Sequence, residues 1–351
     1  MELREYLDRA VEDQASDLFF VAGGPVCEKL DGRLRHMDEE RLTPGDTERI
    51  VEALYSAAGR PMENYLSRGD DDFALAVPGL ARFRVNTYRQ RGSMAAVIRV
   101  VSFDIPNWQE LGIPEQVIKL AETDCGMVLV TGTAGSGKTT TQACIIDRIN
   151  SVRNCHIVTL EDPIEYLHRH RKSIISQREI SIDTGDYLTA LRACLRQAPD
   201  VILLGEMRDP ETIQTAITAA ETGHVVIATL HTRGAVNAVD RIIDAFPSAQ
   251  QAQIRTQLSA VLRTVVSQQL LPNAEGGQIP ACEIMQINSA IRNLIRENKN
   301  HQIDNVVATG GKEGMISMDQ AILHLYRSGK ITRETALEYA DRPEQMLRSL
   351  G

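Results

Sequence analysis

The chain has 351 residues, 43% of them hydrophobic, and a formal net charge of −9. This length and composition suit about two domains with buried cores, and the negative charge argues against a general nucleic-acid-binding protein. No apolar run reaches the roughly 18 residues that a membrane span needs, and the charged N-terminus is unlike a secretory signal. Six scattered cysteines without a C-x-x-C pair predict reduced thiols in a cytoplasmic protein, without structural zinc.

The first hundred residues are typical of a small α/β domain. A helix is predicted over Pro44–Ala58, because Thr43 is a suitable N-cap and Pro44 then occupies the first helical position. Three other segments have the composition of strands: Leu18–Ala22, Arg82–Thr87 and Val97–Val101. We expect this domain to cover residues 1–101 and to be followed by a linker or hinge at residues 102–114, which contain two prolines and a glycine.

Short apolar runs alternate with longer helical patterns from residue 115 to about residue 270. This alternation predicts a second domain built on a mostly parallel sheet that is covered on both faces. Beyond residue 270 the sequence becomes more polar, and we expect a helical C-terminal region over residues 271–351. The four runs that predict the core strands are Met127–Val130, His156–Leu160, Val201–Leu204 and Val225–Leu230.

The first core strand leads into a match to the phosphate-loop pattern G-x-x-x-x-G-K-[ST], in which Gly132, Gly137, Lys138 and Thr139 fill the fixed positions. Glycines let backbone N–H groups turn towards phosphate, a lysine adds charge near the β and γ oxygens, and the threonine hydroxyl can ligate Mg²⁺. A helical pattern follows, as the motif requires. The sequence therefore predicts a nucleoside triphosphate site formed by Gly132, Thr133, Ala134, Gly135, Ser136, Gly137, Lys138, Thr139 and Thr140.

The other three core strands also end in residues suited to phosphate chemistry, namely Glu161, Glu206 and His231. Ligands of open α/β sheets bind beyond the carboxyl ends of the strands, so these side chains are candidates for one shared site. Hydrolysis needs a group that polarises water and further help in holding Mg²⁺. The sequence leaves open which of Glu206 and Glu161 is the base and which serves the metal, directly or through water. His224 precedes its strand, so a structural role suits it as well as a functional one.

Taken together, these segments resemble the secretion-superfamily hexameric ATPases, and within them the PilT-type retraction ATPases of type IV pili. The ATPase boxes that match are the Walker A loop at 132–139, an acidic box at 161–165, a Walker B box at 205–209 and a His box at 223–232. The Walker B box departs from the more common pattern, since it has Gly-Glu where an aspartate is usual. Residues 15–18 and 82–86 are similar to the family's first domain.

The resemblance implies a small PAS-like N-terminal α/β domain, a RecA-like P-loop ATPase domain with a mostly parallel sheet, and a helical C-terminal region. It implies hydrolysis of ATP with Mg²⁺, for which Glu206, Glu161 and His231 are the catalytic candidates and Thr139 and Glu206 the metal candidates. It further implies a homohexamer in the cytoplasm, peripheral to the inner membrane, that drives pilus retraction through an inner-membrane platform protein. No nucleic acid is expected as a partner.

Arginines of the first domain are implied to contact the phosphates of a neighbouring subunit. Arg82, Arg84 and Arg99 lie in strand-like segments, and the guanidinium fork is well suited to phosphate. The alternation of Arg82 and Arg84 is equally typical of a solvated strand face. The assignment therefore depends on the resemblance.

One further segment indicates the retraction branch of the family. By itself it predicts an amphipathic surface helix, with Ile291, Leu294 and Ile295 on one face and Arg292 and Arg296 facing outward. The resemblance gives this helix a role in coupling hydrolysis to pulling. Its residues are Ala290, Ile291, Arg292, Asn293, Leu294, Ile295, Arg296 and Glu297.

Several other functions remain compatible with parts of the sequence. An accessory retraction paralogue shares all the motifs, whereas an assembly or secretion ATPase would usually carry a longer N-terminal region and a four-cysteine metal site. A nucleotide-binding scaffold is disfavoured by Glu161, Glu206 and His231, and a nucleic-acid translocase by the acidic charge. Phosphoryl transfer to a small acceptor lacks a substrate-binding insertion.

Overall fold

The computed structural model describes residues 2–30, 32–101 and 105–350. The chain divides into two compact units, one of residues 1–104 with 165–167 and the other of residues 105–164 with 168–351. Residues 102–104 of the predicted linker lie outside the described residues. Residues 105–114, the rest of that linker, form turns and irregular backbone.

Over its described residues, the first unit forms a six-stranded antiparallel sheet with three helices, and the strand order is β3-β2-β1-β6-β5-β4. Two predicted strands lie within β5 and β6, the third overlaps β1 and runs one residue past its end, and the predicted helix has the bounds of α2. The elements in chain order are α1 (Leu3–Glu12), β1 (Asp17–Val21), β2 (Cys27–Leu30), β3 (Arg33–His36), α2 (Pro44–Ala58), α3 (Glu63–Arg68), β4 (Asp70–Val77), β5 (Ala81–Gln90) and β6 (Ser93–Val101).

Local chemistry accounts for the limits of α2 and for the two faces of β5. Thr43 caps α2 through a reciprocal hydrogen-bond box with Asp46, and Gly59 ends the helix in the left-handed region, with φ of 60°. Along β5 the side chains alternate, so that Phe83 and Val85 are buried while the arginines between and beside them reach the other face. The core of the first unit therefore lies on one side of its sheet.

The second unit contains a seven-stranded sheet in the order β13-β12-β7-β11-β10-β8-β9. All neighbouring strands are parallel except β12 and β13, which form an antiparallel hairpin. The four predicted core strands are β7, β8, β10 and β11. The sheet's strands and the helices between them are α4 (Glu115–Ile118), β7 (Gly126–Thr131), α5 (Lys138–Val152), β8 (His156–Glu161), β9 (Ile174–Glu179), α6 (Tyr187–Cys194), β10 (Val201–Leu204), α7 (Pro210–Glu221), β11 (Val225–Leu230), α8 (Ala235–Asp244), α9 (Ser248–Val261), β12 (Leu262–Pro272) and β13 (Gln278–Gln286).

Helices cover both faces of this sheet, as the near-continuous apolar strands require. On one face α4 and α5 pack over alternate residues of β7, β10 and β11, and on the other face α6 to α9 pack over the remaining ones. The central strands β7, β10 and β11 are buried along their whole length. The predicted α/β fold is thus confirmed, with a mostly parallel sheet in the second unit and an antiparallel sheet in the first.

The predicted start of the helical C-terminal region at residue 271 is wrong, because β12 continues to Pro272 and β13 follows it. The connecting residues 273–277 end in Gly276 and Gly277, both with positive φ, so the chain turns back and adds an edge strand. Within β13, Pro280 is a residue that strands disfavour and Glu283 is charged, so the sequence of β13 is not typical of a buried strand. Helices then dominate: α10 (Ser289–Arg296), α11 (Ile303–Thr309), α12 (Met318–Arg327), α13 (Arg333–Tyr339) and α14 (Pro343–Ser349).

The last three helices pack against the β12–β13 hairpin. Leu271, Ile279 and Ala281 of the hairpin share an apolar cluster with side chains of α12, α13 and α14. Within the described residues, no helix is long and apolar enough to cross a bilayer.

Candidate functional site: the carboxyl edge of the parallel sheet

The phosphate-loop motif forms the connection between β7 and α5. Gly132 has a φ of +145° and Gly137 a φ of +82°, which side-chain-bearing residues rarely adopt. A Cβ atom at Gly132 would overlap the carbonyl oxygen of Gln268, and one at Gly137 would lie 2.8 Å from the Gln268 amide nitrogen. Both glycines are therefore required by backbone conformation and by the close approach of β12.

The Lys138 side chain points back into this loop and is 7% exposed. Its Nζ donates hydrogen bonds to the carbonyl oxygens of Gly132, at 2.9 Å, and Thr133, at 2.8 Å. Burial lowers the pKa of the Lys138 ammonium, and the negative charge of Glu206 opposes that shift. The loop thus holds a cation in the position from which it can contact phosphate oxygens.

The other predicted nucleotide-binding residues surround this ammonium at the start of α5. Thr133, Ala134, Gly135 and Thr139 are exposed, Thr140 is half-buried and Ser136 is buried. The exposed residues leave the loop open to a nucleotide from solvent. Among the described residues there is no group of three or more His, Cys, Asp or Glu side chains that could hold a metal by itself.

The order of the parallel strands brings Glu206 and His231 to the same edge as the loop. Because β7 pairs with β11 and β11 with β10, their carboxyl ends lie side by side. His231 Nε2 lies 3.3 Å from Glu206 Oε1, and Arg208 Nε lies 2.7 Å from the same oxygen. The Glu206 carboxylate is 16% exposed, whereas His231 is half-exposed. Arg208 is a neighbour of Glu206 that the sequence did not single out.

Glu161 ends β8 and is held more tightly. It is 7% exposed, and its Oε1 accepts hydrogen bonds from Thr159 Oγ1, at 2.6 Å, and from Gln177 Nε2, at 3.2 Å. Gln177 lies on β9, a strand that the sequence analysis did not predict. The carboxylate is thus fixed in orientation by two neutral donors.

The packing around Gly205 accounts for the Gly-Glu sequence at the end of the third core strand. A Cβ atom at Gly205 would lie 2.8 Å from the hydroxyl of Tyr187 and 3.3 Å from the Cα of Glu161. Burial raises the pKa of the Tyr187 phenol, and the charges of Asp162, Glu206 and Glu161 raise it further. Tyr187 therefore lies neutral among the acidic residues of this edge, where only glycine leaves it room.

His224 lies at the opposite edge of the sheet, before β11. Its Nδ1 is 2.9 Å from the carbonyl oxygen of Ala219, and its own carbonyl accepts a hydrogen bond from Gly126 N at 3.0 Å. These contacts tie the end of α7 to the start of β7. The position suits the structural interpretation of His224.

The three arginines proposed to reach a neighbouring subunit lie on one surface of the first unit's sheet. Arg84 and Arg99 are directly opposite each other on β5 and β6, and Arg82 lies two residues before Arg84. Arg99 Nε donates to Asp17 Oδ1 at 2.9 Å, while Arg82 and Arg84 are half-buried. The surface carries three guanidinium groups, as the alternation predicts.

The segment at 290–297 coincides with α10 to within one residue at each end, and Asn288 caps this helix by accepting a hydrogen bond from Ile291 N at 3.0 Å. Ile291 and Ile295 are fully buried and Leu294 packs at the margin of the same cluster. Arg296 is exposed, but the expectation that Arg292 also faces outward is wrong: it is half-buried. On the helix surface, Arg292 lies beside the apolar stripe. Its Nε is buried without a hydrogen-bond partner among the described residues.

The chain after His231 is anchored to the β12–β13 hairpin and to the C-terminal helices. Gly234 N donates to Ser267 Oγ at 2.9 Å, and Ala235 N donates to Glu283 Oε2 at 2.8 Å. Arg233 Nη2 donates to Asp341 Oδ1 at 3.0 Å. Glu283 is 7% exposed and lines a cavity of about 710 Å³. These bonds fix the position from which His231 reaches Glu206.

Comparison with known proteins gives matches along almost the whole chain. Residues 2–313 match the family described as "Type II/IV secretion system protein". The chain is 41% identical over 348 residues to the "Type IV pilus retractation ATPase PilT" of Pseudomonas aeruginosa, covering 98% of this chain and 99% of that one. It is 44% identical over 319 residues to the "Twitching motility protein" of Neisseria gonorrhoeae, covering 91% and 85% respectively.

A solved structure gives the same result in three dimensions. The "Crystal Structure of the Pilus Retraction Motor PilT and Bound ADP" superimposes with a TM-score of 0.91 at 44% identity and covers 99% of both chains. The similarity therefore extends to the fold of both units.

The stability of the protein is expected to depend on pH through Glu283. Burial above all, with the negative charges of Asp341, Asp304 and Asp319, raises the pKa of this carboxyl to about 7, and the hydrogen bond from Ala235 N opposes the shift. Between its ordinary pKa of about 4.5 and this value, the folded protein binds a proton that the unfolded chain lacks. Stability from this group is therefore fully present below pH 4.5 and is lost as the pH rises through 7.

We expect Glu283→Gln to remove this dependence. On lowering the pH from 8 to 6, the free energy of unfolding of the wild type should rise by about 1 kcal/mol more than that of the variant. Denaturant unfolding of both proteins at the two pH values measures the difference. Equal pH responses would show that Glu283 does not titrate in this range.

Proposed function

Because this chain belongs to the type II/IV secretion system protein family, we propose that it is an ATP-hydrolysing motor that retracts type IV pili. The observation that carries the proposal is the grouping of Lys138, Glu206 and His231 at one edge of the sheet. A buried ammonium suits the binding of phosphate, and the carboxylate beside it suits the activation of water. The pilus as the filament that is moved comes from the names of the relative at 41% identity and of the solved structure at 44% identity.

In this mechanism the loop holds the triphosphate and Lys138 stabilises the charge that develops on the β and γ oxygens. Glu206 takes the proton of the attacking water, because its carboxylate is accessible and close enough to Lys138 to affect its pKa. His231 orients that carboxylate from 3.3 Å. Glu161, held by Thr159 and Gln177, positions water or metal. Thr139 and, through a water molecule, Glu206 would hold Mg²⁺, which supplies further positive charge to the phosphates.

The assignment of the two glutamates makes a direct prediction. Glu206→Gln keeps the shape of the side chain and removes its basicity, so nucleotide should still bind while steady-state hydrolysis falls by about 100-fold or more. In Glu161→Gln the side-chain oxygen can still accept the hydrogen bonds of Thr159 and Gln177, so this variant should lose less of its hydrolytic activity. Isothermal titration with ADP and a phosphate-release assay measure the two properties separately.

The matched control is Glu211→Gln, which changes an exposed carboxylate in the first turn of α7. Its turnover should equal that of the wild type. If Glu161→Gln abolished turnover while Glu206→Gln retained it, the two roles would be reversed.

The motor is proposed to act as a homohexameric ring. The three arginines on one surface of the first unit's sheet would contact the phosphates bound by a neighbouring subunit, where an arginine fork stabilises transferred phosphoryl groups. Arg99 keeps half of its side chain exposed beside Asp17, which holds it in place. Each nucleotide site would then be complete only in the ring.

The ring is proposed to work in the cytoplasm, peripheral to the inner membrane, on a platform protein of the pilus machinery. This location follows from the proposed retraction function. Helix α10 is proposed to couple hydrolysis to pulling, because Arg296 is exposed on a helix whose apolar side is anchored by Ile291 and Ile295.

We expect Arg292→Ala combined with Arg296→Ala to separate hydrolysis from retraction. In the structure these side chains lie on α10 and not on the phosphate loop, so ATP hydrolysis by the folded, purified variant should stay within about twofold of wild type. Twitching motility of a host strain that depends on this chain should be lost. Both properties are measured on the same variant.

Two further variants separate coupling from folding. Arg296→Ala alone changes only an exposed side chain, and Arg333→Ala changes an exposed arginine of α13 as the matched control. Loss of twitching in the Arg296 variant with the control unaffected supports coupling. Normal twitching in the double variant would remove the coupling role, and loss of the oligomer would assign the helix a structural role.

A further inference from the structure

Gln268 lies on β12, directly alongside the phosphate loop. Strand β12 is parallel to β7, and Ser267 is the register partner of Thr131, the last residue of β7. Gln268 therefore lies on β12 at the level where Gly132 follows β7. Its side chain is 2% exposed and belongs to none of the sequence motifs.

The side-chain amide of Gln268 joins the loop to the first turn of α5. Its Nε2 donates to the carbonyl oxygen of Ser136 at 2.7 Å, and its Oε1 accepts from Thr141 Oγ1 at 2.8 Å. Thr141 is fully buried. Because the donor and acceptor ends of the amide have different partners, only one orientation of the side chain satisfies both.

The same residue also limits how the loop can bend. The backbone carbonyl of Gln268 occupies the space that a Cβ atom at Gly132 would need, and its amide nitrogen lies 2.8 Å from where a Cβ atom at Gly137 would be. Both fixed glycines of the motif thus pack on Gln268. Loop residues 132–137 surround the Lys138 ammonium. On the side of β12 they contact the side-chain amide and the backbone carbonyl of Gln268.

We propose that Gln268 is a positioning residue that preorganises the phosphate loop for nucleotide. By fixing the Ser136 carbonyl and Thr141, it sets the geometry in which Lys138 and the loop's N–H groups meet the phosphates. It acts through the loop and touches no substrate atom. The inference rests on the proposed ATPase function for its kinetic readout, whereas ADP binding tests it without hydrolysis.

The test compares Thr141→Val, which removes one hydrogen bond at nearly constant volume, with Thr141→Ser, which keeps the hydroxyl. We expect Thr141→Val and Gln268→Leu to weaken ADP binding by about tenfold and to raise KM for ATP more than they lower kcat. Thr141→Ser should remain close to wild type. The double variant Gln268→Leu with Thr141→Val should be no weaker than Gln268→Leu alone, because the two residues share one bond.

The matched control is Thr264→Val on the same strand. Thr264 Oγ1 donates to Gln286 Oε1 at 2.7 Å in another threonine–glutamine pair, in which Thr264 is buried and Gln286 half-buried, at the end of β12 away from the loop. It should lose stability but keep its ADP affinity.

If Thr264→Val weakened ADP binding as much as Thr141→Val, or if Thr141→Val bound ADP like wild type, the proposal would be overturned. If Gln268→Leu failed to fold, the three threonine variants would still decide it. Failure of the wild type to hydrolyse ATP would contradict the proposed function instead, since the ADP-binding comparison does not depend on hydrolysis.

Discussion

The burial of the Lys138 ammonium is the interaction on which the site depends. A charge that is 7% exposed must be compensated, and here two carbonyl oxygens of the loop accept its hydrogen bonds while Glu206 supplies negative charge nearby. Those carbonyls can face inward only if the loop bends sharply, which Gly132 and Gly137 allow. The same bend brings the loop into contact with Gln268. The shape of the loop is therefore determined on its inner side by Lys138 and on its outer side by β12.

The sheet order converts this local arrangement into a site. Four parallel strands, β7, β11, β10 and β8, end side by side, although long stretches of chain separate them in sequence. Glu206 and His231 meet because their strands are neighbours, while Glu161 lies one strand further away and is fixed by Gln177 from β9. The segment after His231 is in turn bonded to Glu283 and Asp341, which links this edge of the sheet to the β12–β13 hairpin and to the C-terminal region.

The phosphate loop, the four core strands and α2 could be predicted from the sequence because their signals are local: fixed motif spacing, continuous apolar runs and a capping box. The side chains that contact these site residues could not be predicted from the sequence. Gln268, Gln177 and Tyr187 meet the motifs through strand register or tertiary packing, and nothing in their own neighbourhood distinguishes them. The sequence of β13 does not predict a strand, because a buried carboxylate, Glu283, interrupts its apolar pattern.

The most direct test of the account is the Mg²⁺-dependent ATPase activity of Lys138→Ala, measured beside Lys119→Ala, which changes an exposed lysine paired with Glu115. With oligomeric state checked for each protein, the Lys138 variant should lose about 100-fold or more of the wild-type turnover, because the charge that faces the phosphates is gone. The Lys119 variant should be unaffected. Near-wild-type turnover in folded Lys138→Ala would contradict the central claim that this buried ammonium drives hydrolysis.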